Sequence, residues 1–166
     1  MINHAHLKAG HPYSSFWYEW PLARGAVFFY ASADGAQRSE IWTIGNPVVF
    51  MGGLVGLVVL TVSAWRRRDV ALGALPWAVF TLMAPWILVS RELFLYHYAP
   101  VVPFLAIALA WLISARSSRQ GRSWIEMATV AGAAIFVFCA AFPLLDGWYV
   151  PQPYIDQVKS WIPWVF

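Results

Sequence analysis

The residues best able to do chemistry form one run at positions 91–100, Arg-Glu-Leu-Phe-Leu-Tyr-His-Tyr-Ala-Pro. On a helix, Arg91 and Tyr98 would lie within about 20° of each other, with His97 on a neighbouring face. An arginine beside a tyrosine and a histidine is suited to hold a phosphate group. The competing interpretation is an Arg–Glu pair that anchors a helix at a membrane surface. The run therefore predicts either a site for a lipid-linked phosphate or an interfacial anchor.

A second group near the start of the chain places polar side chains among aromatic rings. Its members are His11, Tyr13, Trp17, Glu19, Trp20 and Arg24. Rings can stack on sugar faces while charged side chains bind hydroxyl or phosphate groups, so the group is a candidate site for a sugar and its acceptor. The alternative is an interfacial stretch held at the headgroup level by Trp and Tyr.

The composition indicates which elements must position these residues. Of 166 residues, 60% are hydrophobic and 11% are charged, whereas a soluble domain carries about a quarter charged residues. Four long uncharged stretches predict transmembrane helices over 47–65, 70–90, 93–115 and 124–144, because about 20 apolar residues cross a bilayer and the backbone must be satisfied within each span. The predicted class is an all-α integral membrane protein. Outer-face interfacial segments are expected at both ends, with 1–46 aromatic-rich and 146–166 forming an amphipathic tail.

Basic residues orient these spans. Six of the eleven Lys and Arg residues fall in the two short loops after the first and third spans, namely Arg66, Arg67, Arg68, Arg116, Arg119 and Arg122. The positive-inside rule then places these loops in the cytoplasm and both termini outside. The net charge of +3 reflects this topology, and we expect no nucleic-acid partner.

Other sequence features favour structural roles. Asn46 and Pro47 are typical of the first residues of a helix, and Gly52 and Gly56 indicate close helix packing. Metal-ligand spacing, a phosphate-binding glycine loop and a nucleophile constellation are all absent from the sequence, so no metal and no bound cofactor are expected.

Several motifs occur in an order that resembles a known family. They are His4-Ala5-His6-Leu7, His11-Pro12-Tyr13-x-Ser15, Trp17-x-x-Trp20-Pro21-Leu22, Gly45-Asn46-Pro47 and Arg91-x-x-Phe94-x-Tyr96-His97-Tyr98-x-Pro100-x-x-Pro103-Phe104. Together they resemble the C-terminal four-span region of the protein O-mannosyltransferases, in the bacterial form without a soluble sugar-binding domain. One departure is visible, because the family often has Arg-Pro after Trp-Pro-Leu whereas Arg24 is followed here by Gly25.

The resemblance implies transfer of mannose from a polyprenyl- or dolichyl-phosphate carrier to Ser or Thr hydroxyls of an acceptor protein. In the family, the catalytic base belongs to an Asp-Glu pair in the first outer loop, and this chain contains no Asp-Glu dipeptide. We therefore expect a C-terminal part of a larger enzyme, inactive alone, whose missing N-terminal portion carries the base. The expected location is the inner membrane of a bacterium, among membrane lipids.

The resemblance also fits the two groups of candidate residues. Arg91, His97 and Tyr98 would hold the carrier phosphate, and the group around Trp17 and Glu19 would line the sugar and acceptor site. The alternatives are a non-catalytic membrane subunit that docks a partner, and a transporter fragment. A transporter would predict an internal repeat, and the sequence shows none.

Overall fold

The computed structural model describes residues 11–117 and 123–166. The motif at His4-Ala5-His6-Leu7, together with Arg119 and Arg122, lies outside these residues. The elements follow one another in this order: β1 (Val27–Asp34), β2 (Gln37–Thr43), α1 (Pro47–Arg67), α2 (Val70–Ile87), a 3₁₀ helix (Leu95–Val101) that continues into α3 (Val102–Ser117), α4 (Ser123–Asp146), β3 (Val150–Pro151) and α5 (Gln152–Trp161).

The helical part confirms the predicted membrane class. In the described part of the chain, four helices are long and apolar enough to cross a bilayer, namely Pro47–Arg67, Val70–Ile87, Leu95–Arg116 and Trp124–Asp146. Each lies within a few residues of a predicted span. The chain is therefore a multi-pass integral membrane protein.

The two ends of the helix bundle carry different residues. Arg67 and Arg116 line one cavity, so the C-terminal ends of α1 and α3 lie at the same end of the bundle, which we name the arginine end. The hairpin of β1 and β2, the 3₁₀ helix and α5 lie at the opposite end, which we name the aromatic end. Which end faces the cytoplasm stays a prediction of the positive-inside rule.

A small sheet at the aromatic end departs from the all-α prediction. β1 and β2 pair as an antiparallel hairpin, and β3 adds to β2 from the far end of the chain. The two-residue turn between β1 and β2 begins with Gly35 at φ 57°, a position where glycine is favoured because it has no Cβ. The all-α description therefore holds for the membrane spans and not for residues 27–43.

The start of the third span also differs from the prediction. α2 ends at Ile87, and the chain becomes helical again only at Leu95, as a 3₁₀ helix. Pro100 lacks an amide donor, which is consistent with a continuous α-helix beginning only after it, at Val102. Pro103 lies in the first turn of α3, where a missing amide donor is tolerated. Arg91 therefore lies in non-helical chain, and the predicted helical alignment of Arg91 with Tyr98 is wrong.

Close backbone contact joins α1 to α3. A methyl group built at Gly56 would lie 2.5 Å from the carbonyl oxygen of Ala108, and one built at Gly53 would lie 2.5 Å from Leu105 Cβ. The first turn of α1 is capped by Asn46, whose Oδ1 accepts from Val48 N at 3.1 Å. The predicted cap is therefore present, and the predicted glycine packing extends to Gly53.

The buried residues concentrate at the aromatic end. The main core cluster includes Trp20, Tyr98, Val101 and Leu105. A second cluster joins Leu144 of α4 to Ile155 and Val158 of α5. The amphipathic tail thus forms the predicted short helix, and in the structure that helix packs on the protein.

Candidate functional site

Two local features of the sequence, a proline and a glycine, determine how the segment 11–25 folds. A short 3₁₀ turn covers Trp20–Leu22, with Pro21 in its first turn. Gly25 has φ 87°, and a Cβ at this position would lie 2.5 Å from Ser15 Cβ. Proline cannot take this conformation because its ring fixes φ near −65°. The departure from the family's Arg-Pro pattern therefore coincides with a backbone position that needs glycine.

Tertiary contacts bring the two predicted motif regions together. The amide of Ser15 donates to the carbonyl oxygen of Leu93 at 2.8 Å, and the ring of His11 lies edge-on to Phe94, with centroids 5.0 Å apart. The ring of Trp20 stacks near His97 at 6.0 Å. Residues about 80 positions apart in sequence thus form one region at the aromatic end.

The His97 ring is held in a fixed orientation. Its centroid lies 4.4 Å from that of Trp86 and 4.5 Å from that of Tyr96. Its Nδ1 is 3.2 Å from the amide nitrogen and 2.9 Å from the carbonyl oxygen of Phe94, so the backbone engages this nitrogen whichever tautomer is present. Nε2 is then the ring nitrogen that can serve a ligand. The exposed Arg91 lies close enough for its charge to act on the imidazole.

Two of the predicted ligand-binding residues are instead buried in the core. Trp20 is 0% exposed and Tyr98 is 2% exposed. The Nε1 of Trp20 donates to Ser15 Oγ at 2.9 Å, and the Tyr98 ring packs edge-on against Phe50 with centroids 5.4 Å apart. Neither side chain is accessible to a ligand, so both instead pack in the core beneath the site.

The other predicted sugar and acceptor residues lie around the region where the segment 11–25 meets the run at 91–98, and we call them the rim residues. His11 and Arg24 are exposed, whereas Trp17, Glu19 and Tyr13 are half-buried. Glu19 Oε2 accepts from the amide of Phe16 at 2.7 Å, which fixes the carboxylate within its own turn.

The rim residues differ in what they pack against. The Tyr13 ring packs against the hairpin through Phe28 and Trp42, both with centroids 5.8 Å away. Trp17 packs against the main core. The structure thus joins His11 to the run that contains Arg91 and His97, while Tyr13 is anchored on the hairpin. No metal-binding cluster occurs within residues 11–117 and 123–166.

A partly buried ion pair at the same end was not found by sequence reasoning. Glu40 Oε2 accepts from Lys159 Nζ at 2.7 Å and from Trp42 Nε1 at 2.7 Å, and Lys159 lies 4.5 Å above the Trp42 ring. Burial alone would raise the pKa of Glu40, but these hydrogen bonds and the charges of Lys159 and Arg38 outweigh it and hold the pKa below its usual value. The pair fastens α5 to the hairpin.

Sequence reasoning also missed Trp86 and the hairpin itself. The dipeptide Asp34-Gly35 between two short runs rich in aromatic and β-branched residues is a recognised hairpin signal. No comparable sequence signal places Trp86 beside His97, because that contact arises only from the way α2 leads into the 3₁₀ helix.

The fold and the site together define a multi-pass membrane protein with a polar, aromatic-lined region at one end of its bundle. The sequence model of the family described as the C-terminal four-transmembrane region of protein O-mannosyltransferase matches residues 1–164. The chain therefore belongs to this family, as the motifs predicted.

Individual relatives agree with the family match. The chain is 33% identical to dolichyl-phosphate-mannose–protein mannosyltransferase 4 of Candida albicans over 122 residues, which cover 60% of this chain and 16% of that protein. It is 28% identical to human protein O-mannosyl-transferase 1 over 151 residues, which cover 79% of this chain and 20% of that protein. No solved structure matches the chain significantly.

The length of the match limits what the relatives imply. Across the matched relatives, the aligned region spans between 13% and 21% of their length. The chain thus corresponds to a C-terminal part of larger proteins.

Proposed function

We propose that this chain is the C-terminal membrane module of an enzyme that transfers mannose from a polyprenyl- or dolichyl-phosphate carrier to Ser or Thr hydroxyls of proteins. The observation that carries the proposal is the arrangement at His97. Its ring contacts the rings of Trp86 and Tyr96, and the charge of the exposed Arg91 acts on it. A fixed imidazole and a guanidinium at the end of a membrane bundle are suited to a phosphate at the membrane surface.

In this proposal, Arg91 and His97 bind the carrier phosphate, and the buried Tyr98 supports the 3₁₀ helix that carries His97. Transfer breaks the bond between the anomeric carbon and the phosphate oxygen, which leaves with the electron pair. Arg91 and the His97 imidazole stabilise the negative charge that develops there. The acceptor oxygen attacks the anomeric carbon while a carboxylate removes its proton. That carboxylate comes from a preceding portion of the larger protein, because this chain has no Asp-Glu pair.

The rim residues around this 3₁₀ helix would bind the sugar and the acceptor peptide. His11, Glu19 and Arg24 supply polar groups there, with Tyr13 and Trp17 forming the apolar part of the wall. Trp20 supports the wall from within the core. The aromatic end would face the non-cytoplasmic side of a bacterial inner membrane, which protease accessibility of tagged termini from each side tests directly.

Replacement of Arg91 in the larger enzyme tests the proposal. We expect Arg91→Ala to lower kcat/KM for the lipid donor by about 10- to 100-fold, because a hydrogen bond between charged groups is lost. Arg38→Ala is the matched control, since Arg38 is exposed at the same end and lies outside the site. Equal values of kcat/KM for the lipid donor in the two variants would contradict a role for Arg91 in binding the phosphate.

A non-catalytic membrane subunit is the second candidate function. The exposed rings of Phe16 and Tyr18 favour it, because they stack on each other with centroids 5.2 Å apart and would suit a partner surface. Transfer of labelled sugar by membranes that contain this chain and the preceding portion would favour the enzyme. Absence of transfer, with stable copurification of another membrane protein, would favour the subunit.

A further inference from the structure

The arginine end holds a cavity of about 350 Å³ between α1 and α3. Its basic lining consists of Arg67 from α1 and Arg116 from α3, and its apolar wall includes Val59, Trp111 and Leu112. A pocket of this volume is large enough for a small ligand or a headgroup. Nothing in the proposed transfer reaction uses this cavity, which lies at the opposite end of the bundle from Arg91.

The way in which α1 and α3 pack explains why the cavity opens there. The backbones are in contact at Gly53 and Gly56, where an added Cβ would lie 2.5 Å from atoms of α3. Further towards the arginine end, Trp111 and Leu112 line the cavity from α3. Along the two helices, the cavity thus lies between the glycine contact and the C-terminal arginines.

The positive charges that line this cavity are not balanced by acidic residues. A helix C-terminus favours a cation by itself, but here two helices bring their terminal arginines to the same cavity. The lining contains no acidic residue, and neither arginine forms an ion pair with a carboxylate of the described residues. Two cations that line the same cavity favour an anion between them.

The remaining polar atom of the wall is already satisfied. Ser63 Oγ donates to the carbonyl oxygen of Val59 at 2.7 Å, so the wall below the arginines is effectively apolar. A larger cavity of about 1000 Å³ lies on the other face of α1, but its lining includes one arginine, Arg68, and the carboxylate of Asp69. Charge complementarity with an anion is therefore stronger at the smaller cavity.

We propose that this smaller cavity binds the phosphate group of an anionic phospholipid from the leaflet at the arginine end. Arg67 and Arg116 pair with the phosphate, and the upper part of one acyl chain lies over Val59 and Leu112. Trp111 contacts the chain near the headgroup, a depth at which tryptophan is favoured. Basic pockets between transmembrane helices recognise anionic headgroups in this way.

Native mass spectrometry of the purified, delipidated chain tests this proposal. Phosphatidylglycerol and phosphatidylcholine with identical acyl chains are added separately, and the occupancy of the first bound lipid is measured. We expect preferential binding of phosphatidylglycerol, and a fall of about 10- to 30-fold in its apparent affinity in the variant that combines Arg67→Gln with Arg116→Gln. The matched control combines Arg66→Gln with Arg68→Gln, which removes the same charge at the same end outside the cavity.

A second pair of variants fills the cavity without changing charge. Ser63→Leu places a larger side chain in the wall and should reduce phosphatidylglycerol binding to a similar degree. Thr129→Leu is its control, because Thr129 makes the same kind of hydrogen bond to its own helix at an exposed position of α4.

Three results would overturn the proposal. Equal binding of the two lipids would assign the cavity to an uncharged apolar occupant, such as a helix of the larger protein. Full displacement of phosphatidylglycerol by millimolar inorganic phosphate would indicate a soluble anion site. An equal loss of binding in the Arg66/Arg68 control would indicate general charge attraction at this end of the bundle.

Discussion

The aromatic end of the bundle has a core of buried aromatic rings, whereas two tryptophans near the arginine end are exposed. Trp20 and Tyr98 are almost completely buried at the aromatic end, while Trp65 and Trp124, near the arginine end, are 86% and 71% exposed. Both cavities described above lie at the arginine end. Since the same kinds of side chain occur at both ends, the difference comes from which of them have partners within the chain.

This difference separates two ways of recognising a ligand. At the aromatic end, packing and backbone hydrogen bonds fix His97 before any ligand arrives, which lowers the entropy cost of binding. At the arginine end, charge and open apolar surface are available, which suits lipids or other parts of a larger protein. The comparison predicts that substitutions at the aromatic end cost more stability than the same substitutions at the arginine end.

Removal of the Trp20 side chain should produce the largest effect. Trp20→Ala leaves a cavity among Trp86, His97 and Tyr98, so we expect a loss of about 3–5 kcal/mol in the free energy of unfolding. The exposed Trp124 is the matched control, and Trp124→Ala should change stability by less than about 0.5 kcal/mol. Thermal unfolding in detergent micelles measures both. Equal losses would show that the two ends do not differ in packing as the structure indicates.

A methyl group added between α1 and α3 should have the next largest effect. Gly56→Ala would bring Cβ to 2.5 Å from a backbone carbonyl oxygen that cannot rotate away, so the helices must separate at a cost of about 1–3 kcal/mol.

Gly132→Ala is the control for this substitution, because nothing lies within 4 Å of a Cβ built at that position. In a helix, alanine is favoured over glycine by about 0.8–1 kcal/mol, so this variant should be neutral or slightly more stable in the same thermal assay. A neutral Gly56→Ala variant would contradict the close contact of the two helices.

The membrane part of the fold could be predicted from sequence because long uncharged stretches suffice to identify spans. The helix cap at Asn46 and the packing of Gly56 were predictable for local reasons. The transition from 3₁₀ to α conformation before Val102 was not found, because hydropathy does not distinguish two kinds of helix. The hairpin was missed because an aromatic-rich segment also fits an interfacial stretch, although Asp34-Gly35 carried the signal.

The candidate site could be predicted only in part, for a different physical reason. The motifs that contain His11 and His97 were expected to share a site, and the structure brings them together. The sequence could not separate the residues that face outwards from those that are buried. Arg91 and Tyr98 seemed equivalent on a helix, but the burial of Tyr98 depends on Phe50 and Trp20, which are distant in sequence.

The ion pair between Glu40 and Lys159 should give the smallest of the three stability effects, and its contribution also depends on pH. Glu40→Gln removes the charge from a carboxylate that accepts hydrogen bonds from Lys159 and Trp42. Because Lys159 is partly exposed and glutamine keeps an acceptor oxygen, we expect a loss of about 0.5–1 kcal/mol near neutral pH. Hydrogen exchange of the α5 amides should increase accordingly, because α5 would be held less firmly against the hairpin.

The direction of the pH effect follows from the lowered pKa of Glu40 in the folded chain. The stabilisation is present above the ordinary carboxyl pKa of 4.5, and it is lost as the pH falls below that value and passes through the folded-state pKa. The protection factors of the α5 amides, which are corrected for the slower intrinsic exchange in acid, should therefore fall with pH in the wild-type chain, while Glu40→Gln should lack this acid-dependent component. Asp156→Asn is the control, because it neutralises an exposed carboxylate on α5 and should leave that component unchanged. The same acid response in all three chains would show that another group, and not Glu40, controls how α5 is held at the aromatic end.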